Sequence, residues 1–282
     1  MSEQLNPGVG RSVDVLGIPT NYLEAGDGPP LVLLHGSGPG VSAHANWAGV
    51  IPGLSRSFRV IAVDCPGFGH SGRKADGAYS MPFWIEHFLA FLDALDLKKV
   101  SLVGNSFGGS LSLAATATAP ERIDKLVLMG TPCGRFKITD GLRASRSYTP
   151  SPANLRAMLE MFPFDKSIVT DNMVAARLKA SEDPGSLIAF RALVPDAAIA
   201  EGSDGIISGV PEKIVARLKQ PILVLHGRDD TVVPMELGMR IFMNAPNAQF
   251  HGFGSCGHWV QVERREQFIQ AATAFLQEGM AT

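Results

Sequence analysis

The chain has 282 residues, of which 45% are hydrophobic and 18% are charged, so it can bury a sizeable core and intrinsic disorder is excluded as its main state. The 25 basic and 27 acidic residues leave a formal net charge of −2, which argues against broad electrostatic binding to nucleic acid or to an anionic membrane. The first ten residues, MSEQLNPGVG, contain no apolar run, and the longest apolar stretches are shorter than the ~20 residues of a bilayer span. Three scattered cysteines, Cys65, Cys133 and Cys256, predict no disulfide framework. We therefore expect a cytoplasmic protein without a membrane segment.

Short runs rich in Val, Ile and Leu alternate along the chain with longer segments of helical periodicity. Near-continuous apolar runs of this length are typical of a parallel sheet that is covered on both faces. The runs expected to form central strands are 31–34, 59–63, 99–103, 125–129 and 221–225. Segments 12–16 and 19–24 predict an antiparallel hairpin at one edge, and residues 81–97 predict a helix. One α/β domain that carries an insertion fits this length at least as well as two domains.

The alternation stops after Met129 and resumes at Pro221, and no buried strand is expected between Pro132 and about Val210. Helical pieces are predicted there instead, at residues 152–163, 170–182 and 184–194. Such an insertion is typical of a lid over the carboxyl edge of the sheet, where open α/β sheets bind ligands. We predict a mostly parallel sheet with helices on both faces, in a core of residues 1–133 and 211–282, and a helical lid of residues 134–210.

The sharpest motif is GNSFGG at residues 104–109, between the strand-like KVSLV and the helical SLSLAATATA. In that setting GxSxG predicts a nucleophile elbow, a turn that raises the Ser106 hydroxyl above the sheet edge. The turn is so tight that a Cβ at position 104 or 108 should clash with neighbouring backbone. The turn also places the Phe107 N–H at a helix N-terminus, where negative charge is favoured. Taken alone, the motif would leave a glycine-rich phosphate loop or a plain turn open as the less favoured alternative.

A second glycine-rich motif, HGSGPG at residues 35–40, directly follows the strand-like LVLL. A bend at this strand end can aim a backbone N–H at an oxyanion that develops during the reaction. Ser37 or Gly38 would supply that N–H. His35 is interpreted as a hydrogen-bonded residue that shapes the loop.

A serine nucleophile needs a base whose pKa lies near 7, and histidine is the usual choice. Among seven histidines, His258 is the one that follows the last expected strand on a glycine-flanked loop. Its position gives the chain order serine, acid, histidine that is typical of hydrolases with a nucleophile elbow. Asp229 or Asp230, after the strand-like PILVL, would orient the base, and spacing leaves both open. The sequence contains no HExxH, Cys/His cluster or EF-hand loop, and no GxGxxG between a strand and a helix with the right acidic follower, so we expect neither a metal nor an organic cofactor.

Together these motifs resemble those of the α/β-hydrolases and, more narrowly, of the meta-cleavage product hydrolases of bacterial aromatic degradation. The similarity extends through nearly the whole chain. The segments that carry it are HGSGPGVSAHANW (35–47), DCPGFGHS (64–71), LVGNSFGG (102–109), FDKSIVT (164–170), HGRDDTVVP (226–234) and CGHWVQVE (256–263). The combination of HGSGPG, GNSFGG and CGHW is far more specific than GxSxG alone.

The resemblance implies that Ser106 is the nucleophile, Asp230 the acid and His258 the base. It selects Asp230 because the acid of this family is the second of the RDD-type pair. An oxyanion hole would form from the Phe107 N–H and the N–H of Ser37 or Gly38. The family often has Met where Phe107 stands here, a change that keeps the N–H but can alter the shape of the pocket.

The resemblance also implies a substrate pocket in which Arg177, from the lid, pairs with a substrate carboxylate. Arginine suits this role because its guanidinium binds a carboxylate in a planar, bidentate manner that lysine does not provide. The other residues implied to line this pocket are Asn46, Asn105, Ser167 and Trp259.

The implied reaction is hydrolysis of a carbon–carbon bond in a 2-hydroxy-6-oxohexa-2,4-dienoate with an alkyl or aryl group at C6. The implied products are 2-hydroxypenta-2,4-dienoate and a carboxylic acid, and the implied assembly is a homo-oligomer, a dimer or larger, that binds only a small-molecule substrate. A carboxylesterase or lactonase with the same triad is an alternative, and so is a non-catalytic ligand receptor on a hydrolase fold. A haloalkane dehalogenase is disfavoured because its nucleophile is Asp, whereas Ser106 stands here.

Overall fold

The computed structural model describes residues 6–182, 184–194 and 196–279, and among these residues it contains ten strands and thirteen α-helices. The strands are β1 (Arg11–Val15), β2 (Ile18–Ala25), β3 (Pro30–Leu34), β4 (Arg59–Val63), β5 (Val100–Asn105), β6 (Ile123–Met129), β7 (Arg135–Lys137), β8 (Ile206–Ser208), β9 (Ile222–Gly227) and β10 (Ala248–Phe253). The helices are α1 (Ala43–Trp47), α2 (Ile51–Leu54), α3 (Met81–Ala94), α4 (Phe107–Thr118), α5 (Asp140–Arg146), α6 (Pro152–Leu159), α7 (Asp171–Ser181), α8 (Pro184–Arg191), α9 (Asp196–Ile199), α10 (Glu212–Val215), α11 (Met235–Asn244), α12 (Val260–Glu263) and α13 (Arg265–Gln277).

Eight strands form one mostly parallel sheet in the order β1-β2-β4-β3-β5-β6-β9-β10. The β1–β2 and β2–β4 pairs are antiparallel, and every other pair in this sheet is parallel. The predicted hairpin and all five predicted central strands are present, each displaced by at most two residues at either end. The predicted fold class, an α/β-hydrolase sheet, is therefore confirmed.

Helices cover both faces of the sheet, as the apolar strand runs predict. In β3, Val32 and Leu34 pack into a cluster with residues of α3, α4 and α11, whereas Leu31 and Leu33 pack on the opposite face with residues of α1, α2 and α13. All four side chains are completely buried. This packing on both faces holds the carboxyl ends of β3, β5, β6 and β9 side by side at one edge of the sheet.

Helix α3 begins and ends where local side chains and backbone dictate. The Ser80 hydroxyl accepts a hydrogen bond from the Phe83 N–H and caps the first turn. The prediction extended this helix to residue 97, but it ends at Ala94. Asp96 adopts a left-handed conformation with φ +52°, which stops the helical hydrogen bonds three residues early.

The segment between β6 and β9 holds α5 to α9 and the two-stranded antiparallel ribbon β7–β8. The three predicted helices are α6, α7 and α8, and each is shorter at its carboxyl end than the sequence pattern suggests. The ribbon was not predicted, because each strand has three residues and none of them is fully buried. Side chains of α6 and α7 form an apolar cluster with Val232, Val233, Leu237 and Trp259, so the insertion packs over the carboxyl end of β9.

No helix among the described residues combines the length and the apolar character needed to cross a membrane. The three cysteines are free thiols and are buried.

Candidate active site

Ser106 is the single residue between strand β5 and helix α4. Its backbone has φ +53° and ψ −111°, a conformation that is rare for a residue with a side chain and that marks strained functional turns. The Ser106 N–H donates to the Met129 carbonyl at 2.8 Å, which ties the turn to the end of β6. The strand, the strained residue and the helix together form the predicted nucleophile elbow.

The glycines of this elbow are required by close backbone contacts. A Cβ on Gly104 would lie 2.6 Å from the Gly108 carbonyl oxygen, and a Cβ on Gly108 would overlap the carbonyl oxygen of Leu34. The predicted clash at positions 104 and 108 is therefore confirmed. These contacts allow α4 to start directly against the end of β3.

His258 and Asp230 form a buried pair at the carboxyl edge of the sheet. The His258 Nδ1 lies 2.7 Å from Asp230 Oδ2, and the two residues are 2% and 6% exposed. The other carboxylate oxygen, Oδ1, accepts the N–H groups of Val232 and Val233 at 2.9 and 2.8 Å. Asp229 instead lies beside Arg228 and is partly exposed, so the geometry selects Asp230 from the pair that spacing left open.

Two imidazoles face the Asp230 carboxylate. The His226 Nε2 donates to the Val233 carbonyl at 2.8 Å and lies 3.4 Å from Asp230 Oδ2. Burial by itself would raise the pKa of Asp230, but the facing rings of His258 and His226 outweigh burial and hold that pKa well below its usual range. Asp230 is therefore an anion that can orient and stabilise a charged His258 ring. Sequence reasoning missed His226, although the residue opens the HGRDD motif.

Ser106 and His258 both adjoin the segment Met129–Gly130 at the end of β6. A Cβ on Gly130 would lie 2.6 Å from His258 Cε1 and 2.7 Å from Nδ1, so this glycine leaves the space that the imidazole occupies. Among the described residues no hydrogen bond joins the Ser106 hydroxyl to the His258 ring. Such contacts are often long in unliganded hydrolases and tighten when substrate binds.

The candidate oxyanion donors lie at two loop ends beside Ser106. Phe107 is the first residue of α4, so its N–H has no acceptor within the helix. Ser37 lines the same cavity as Ser106 and Phe107, whereas Gly38 lines a smaller adjacent pocket. Within the described part of the chain, the N–H of Ser37 donates to no protein acceptor.

Two cavities meet at this point. The larger has a volume of about 790 Å³, is mainly apolar, and is lined by Ser106 and Phe107 together with side chains of the insertion, among them Phe136 and Phe190. The smaller, of about 10 Å³, has a mixed lining, in which Asn46, Asn105, Arg177 and His258 supply polar groups beside Gly38 and Trp259. Ser37 and Phe162 line both, so the two cavities adjoin, and Ser106 lines the larger one.

The smaller pocket collects polar groups that have no protein partner. No described residue forms a hydrogen bond or an ion pair with the Arg177 guanidinium, which stacks over the Trp259 ring at 5.8 Å. The Nδ2 groups of Asn46 and Asn105 are buried and also lack a partner among the described residues. Burial lowers the pKa of Arg177 to about 10, so the group is still a cation at neutral pH. These donors can together bind one anionic group.

Ser167 is the one predicted pocket residue that the structure does not bring to the others. It is exposed in a short 3-10 turn, where its N–H donates to the Asp165 side chain at 2.9 Å. The Asp165 cap fixes that turn on the outer surface of the insertion. Ser167 therefore lies outside the pocket that Asn46, Asn105, Arg177 and Trp259 line.

No group of three or more His, Cys, Asp or Glu side chains in the described part of the chain is arranged to hold a metal ion.

Comparison with known proteins agrees with this geometry. A family model described as alpha/beta hydrolase fold matches residues 29–186. The chain is 42% identical to a 2-hydroxymuconate semialdehyde hydrolase of Pseudomonas sp. strain CF600, a match that covers 99% of this chain and 97% of the relative. It is 44% identical to a 2-hydroxy-6-oxo-2,4-heptadienoate hydrolase of Pseudomonas putida, with 96% and 98% covered.

Among solved structures, a meta-cleavage product hydrolase from Pseudomonas fluorescens IP01 matches with a TM-score of 0.90 and 40% identity. That match covers 97% of this chain and 99% of the solved chain. The chain therefore belongs to the α/β hydrolase fold family and, within it, to the meta-cleavage product hydrolases.

Proposed function

We propose that the protein hydrolyses a carbon–carbon bond in a 2-hydroxy-6-oxohexa-2,4-dienoate, the ring-fission product of an aromatic compound. The products are 2-hydroxypenta-2,4-dienoate and a carboxylic acid. Ser106 is the proposed nucleophile, His258 the base, and Asp230 the acid that orients the base. The reaction as proposed uses no metal or organic cofactor.

The observation that carries this proposal is that a small pocket with unpartnered polar groups adjoins the apolar cavity that Ser106 lines. The smaller pocket offers the guanidinium of Arg177 and the unpartnered amides of Asn46 and Asn105, which suit the carboxylate and 2-hydroxyl end of a dienoate. The apolar cavity suits the substituent at C6. A substrate that spans both compartments presents its 6-keto carbon near Ser106.

The proposed reaction begins with ketonisation of the dienol, because cleavage of the unaltered dienol would leave an unstabilised vinyl carbanion at C5. A proton is added to the distal carbon of the diene while negative charge is stabilised near Arg177. Ser106, deprotonated by His258, then attacks the 6-keto carbon. The resulting oxyanion accepts hydrogen bonds from the Phe107 N–H and from the N–H of Ser37 or Gly38.

The carbon–carbon bond then breaks, because the electron pair that it leaves behind is delocalised into the bound dienoate. The departing dienolate takes up the proton that His258 removed from Ser106, and the neutral His258 then activates water, which releases the acid from the acyl-serine. Direct attack of water to give a gem-diol is the alternative route to the same products. The two routes differ in whether an acyl-serine accumulates after rapid mixing.

We further propose that the C6 substituent is larger than a methyl group. Ser106, immediately before α4, and Ser110, Ala114 and Thr118, along one side of that helix, all line the larger cavity. At ~1.5 Å per helical residue this lining extends for roughly 18 Å. A methyl group would leave most of that space unfilled, whereas a phenyl or a longer alkyl group would bury apolar surface there.

We also propose that residues 134–210 act as a lid on a core formed by residues 1–133 and 211–282. The insertion supplies Arg177 and Phe162 to the site, and a Cβ on Gly40 of the HGSGPG loop would overlap the Arg177 carbonyl oxygen. The lid thus contacts the candidate oxyanion loop directly.

We also propose that the protein is located in the cytoplasm, in keeping with its buried free cysteines, and that it assembles as a homo-oligomer.

The proposal is tested with purified protein and a panel of ring-fission dienoates that carry methyl, isopropyl or phenyl at C6. We expect the wild type to bleach the coloured dienoate, and Ser106→Ala to bind the substrate without cleaving it. Arg177→Gln should raise KM and slow ketonisation together, because both depend on charge at the carboxylate end. The matched control is Arg143→Gln, which changes an exposed arginine of the same insertion and should leave both unchanged.

Rapid turnover of p-nitrophenyl esters without activity on any dienoate would instead support a carboxylesterase. Unchanged kinetics in Arg177→Gln would remove that residue from the site.

A further inference from the structure

His35 lies at the start of the HGSGPG loop, immediately after β3, and its side chain is completely buried. Its Nδ1 lies 2.6 Å from the Gly36 carbonyl oxygen, and its Nε2 lies 3.0 Å from the Cys65 backbone nitrogen. A carbonyl oxygen can only accept and a backbone N–H can only donate, so the ring is the neutral tautomer with the proton on Nδ1. Burial lowers the pKa of His35, which favours this neutral form near pH 7.

The Gly36 carbonyl and the Ser37 N–H belong to one planar peptide group. In a trans peptide the C=O and N–H bonds point in opposite directions, so a contact that fixes the carbonyl also fixes the N–H. His35 holds this carbonyl toward the protein interior. The Ser37 N–H is thereby directed away from the interior, and Ser37 lines the cavity that Ser106 and Phe107 also line.

The preceding peptide is fixed from the other side. The Gly36 N–H faces Asn46 Oδ1 at 3.3 Å, and a Cβ on Gly36 would lie 2.6 Å from Asn105 Oδ1. Two successive peptides of the loop are therefore held by side chains rather than by a regular strand or helix. This arrangement preorganises a backbone donor before the oxyanion forms.

We infer that His35 is a positioning residue, which orients the Ser37 N–H as the second oxyanion donor opposite that of Phe107. His35 touches neither the substrate nor the reacting atoms in this assignment. The inference rests on the proposed attack by Ser106, and it selects Ser37 over Gly38. Loss of the His35 contact should slow the step that forms the oxyanion, while dienoate binding and ketonisation, which depend on Arg177, continue.

Two substitutions separate the two contacts of the ring. His35→Asn places an amide N–H near the position of Nδ1 and can keep the bond to Gly36, whereas His35→Gln places its amide near Nε2 and keeps only a contact to Cys65. The control is His87→Gln, which changes another buried histidine, one whose Nε2 bonds the Thr20 hydroxyl rather than an atom of the HGSGPG loop. Single-turnover absorbance measurements resolve ketonisation from cleavage, and p-nitrophenyl acetate reports oxyanion formation without a dienoate.

We expect His35→Gln to slow cleavage and ester hydrolysis by about 10²-fold, the usual effect of losing one oxyanion donor, with ketonisation and KM unchanged. His35→Asn should recover most of the rate, and the control should match the wild type. Equal loss in both His35 variants, or equal slowing of ketonisation and cleavage, would overturn the inference. A wild type that hydrolyses the ester but no dienoate would refute the proposed function, yet the ester rates would still test His35.

A measurement on the unaltered protein covers the case in which neither variant folds. The ¹⁵N shifts of the histidine rings distinguish the two neutral tautomers. We expect one buried ring to show no titration between pH 6 and 8 and to carry its proton on Nδ1. We assign that ring to His35. A proton on Nε2 of that ring would contradict the inference.

Discussion

The substitution Gly130→Ala should separate activity from stability more sharply than any change of a reacting group. The new Cβ would lie 2.6 Å from His258 Cε1 and 2.7 Å from Nδ1. Carbon atoms in contact are normally ~3.5–4.0 Å apart, so the imidazole must move by about 1 Å. A displacement of that size at a catalytic group can reduce the rate by about 10²-fold. We therefore expect kcat to fall by about 10²-fold while the protein still folds.

The matched control is Gly17→Ala in the turn between β1 and β2. Gly17 has φ +78° and Gly130 has φ +50°, so alanine is strained at both positions and should lower the free energy of unfolding by about 1–2 kcal/mol in each. A Cβ on Gly17, however, meets nothing within 4 Å. Initial rates of dienoate cleavage and urea unfolding are measured for both variants. A Gly130→Ala variant with the kcat of the control would refute the placement of His258 against Gly130.

Burial lowers the pKa of His87 to about 4, whereas a histidine in the unfolded chain titrates at about 6.5. Between these values the unfolded state binds more protons than the folded state, so the free energy of unfolding should fall as the pH falls through this window. Urea unfolding should give about 2–3 kcal/mol less stability at pH 4.5 than at pH 7, and a visibly smaller difference in His87→Gln; an identical difference would contradict this. Lys125 on β6 donates hydrogen bonds to the carbonyl groups of Phe275, Leu276 and Glu278 and so caps the carboxyl end of α13. Lys125→Met should lower the free energy of unfolding in chemical denaturation by about 1–2 kcal/mol and leave kcat unchanged. An unchanged free energy of unfolding would count against this cap. Ala114→Phe should narrow the apolar cavity and slow cleavage of a phenyl-bearing dienoate by about 10-fold or more relative to a methyl-bearing one, whereas equal effects on both would argue against a C6 subsite along α4.

The sheet could be predicted from the sequence because its strands are buried on both faces and therefore appear as unbroken apolar runs. The elbow could also be predicted, since the spacing of Gly104, Ser106 and Gly108 between a strand and a helix reflects local sterics. Helix ends were less predictable. The stop at Ala94 depends on the backbone conformation of Asp96, and no apolar pattern encodes that conformation.

Site residues that depend on contacts between distant segments could not be derived from sequence pattern. Spacing left Asp229 and Asp230 equivalent; the family resemblance selected Asp230, and the 2.7 Å contact to His258 agrees with that selection. Gly130 was missed because it matters only through its close packing against His258, which is distant in sequence. His226 was missed because its contact with Asp230 depends on how the loop between them folds. Ser167 was expected in the pocket because its segment is similar to a family motif. That similarity does not reveal that the Asp165 cap turns Ser167 outward.

The central claim is that Ser106 initiates cleavage of a carbon–carbon bond next to a bound dienoate. Its most direct test is to mix the purified protein with a phenyl-bearing ring-fission dienoate and to quantify both products. The account predicts one equivalent each of 2-hydroxypenta-2,4-dienoate and benzoate per dienoate consumed, and none from a folded Ser106→Ala variant. Persistence of the coloured dienoate with the wild type, or equal product formation by the variant, would contradict it.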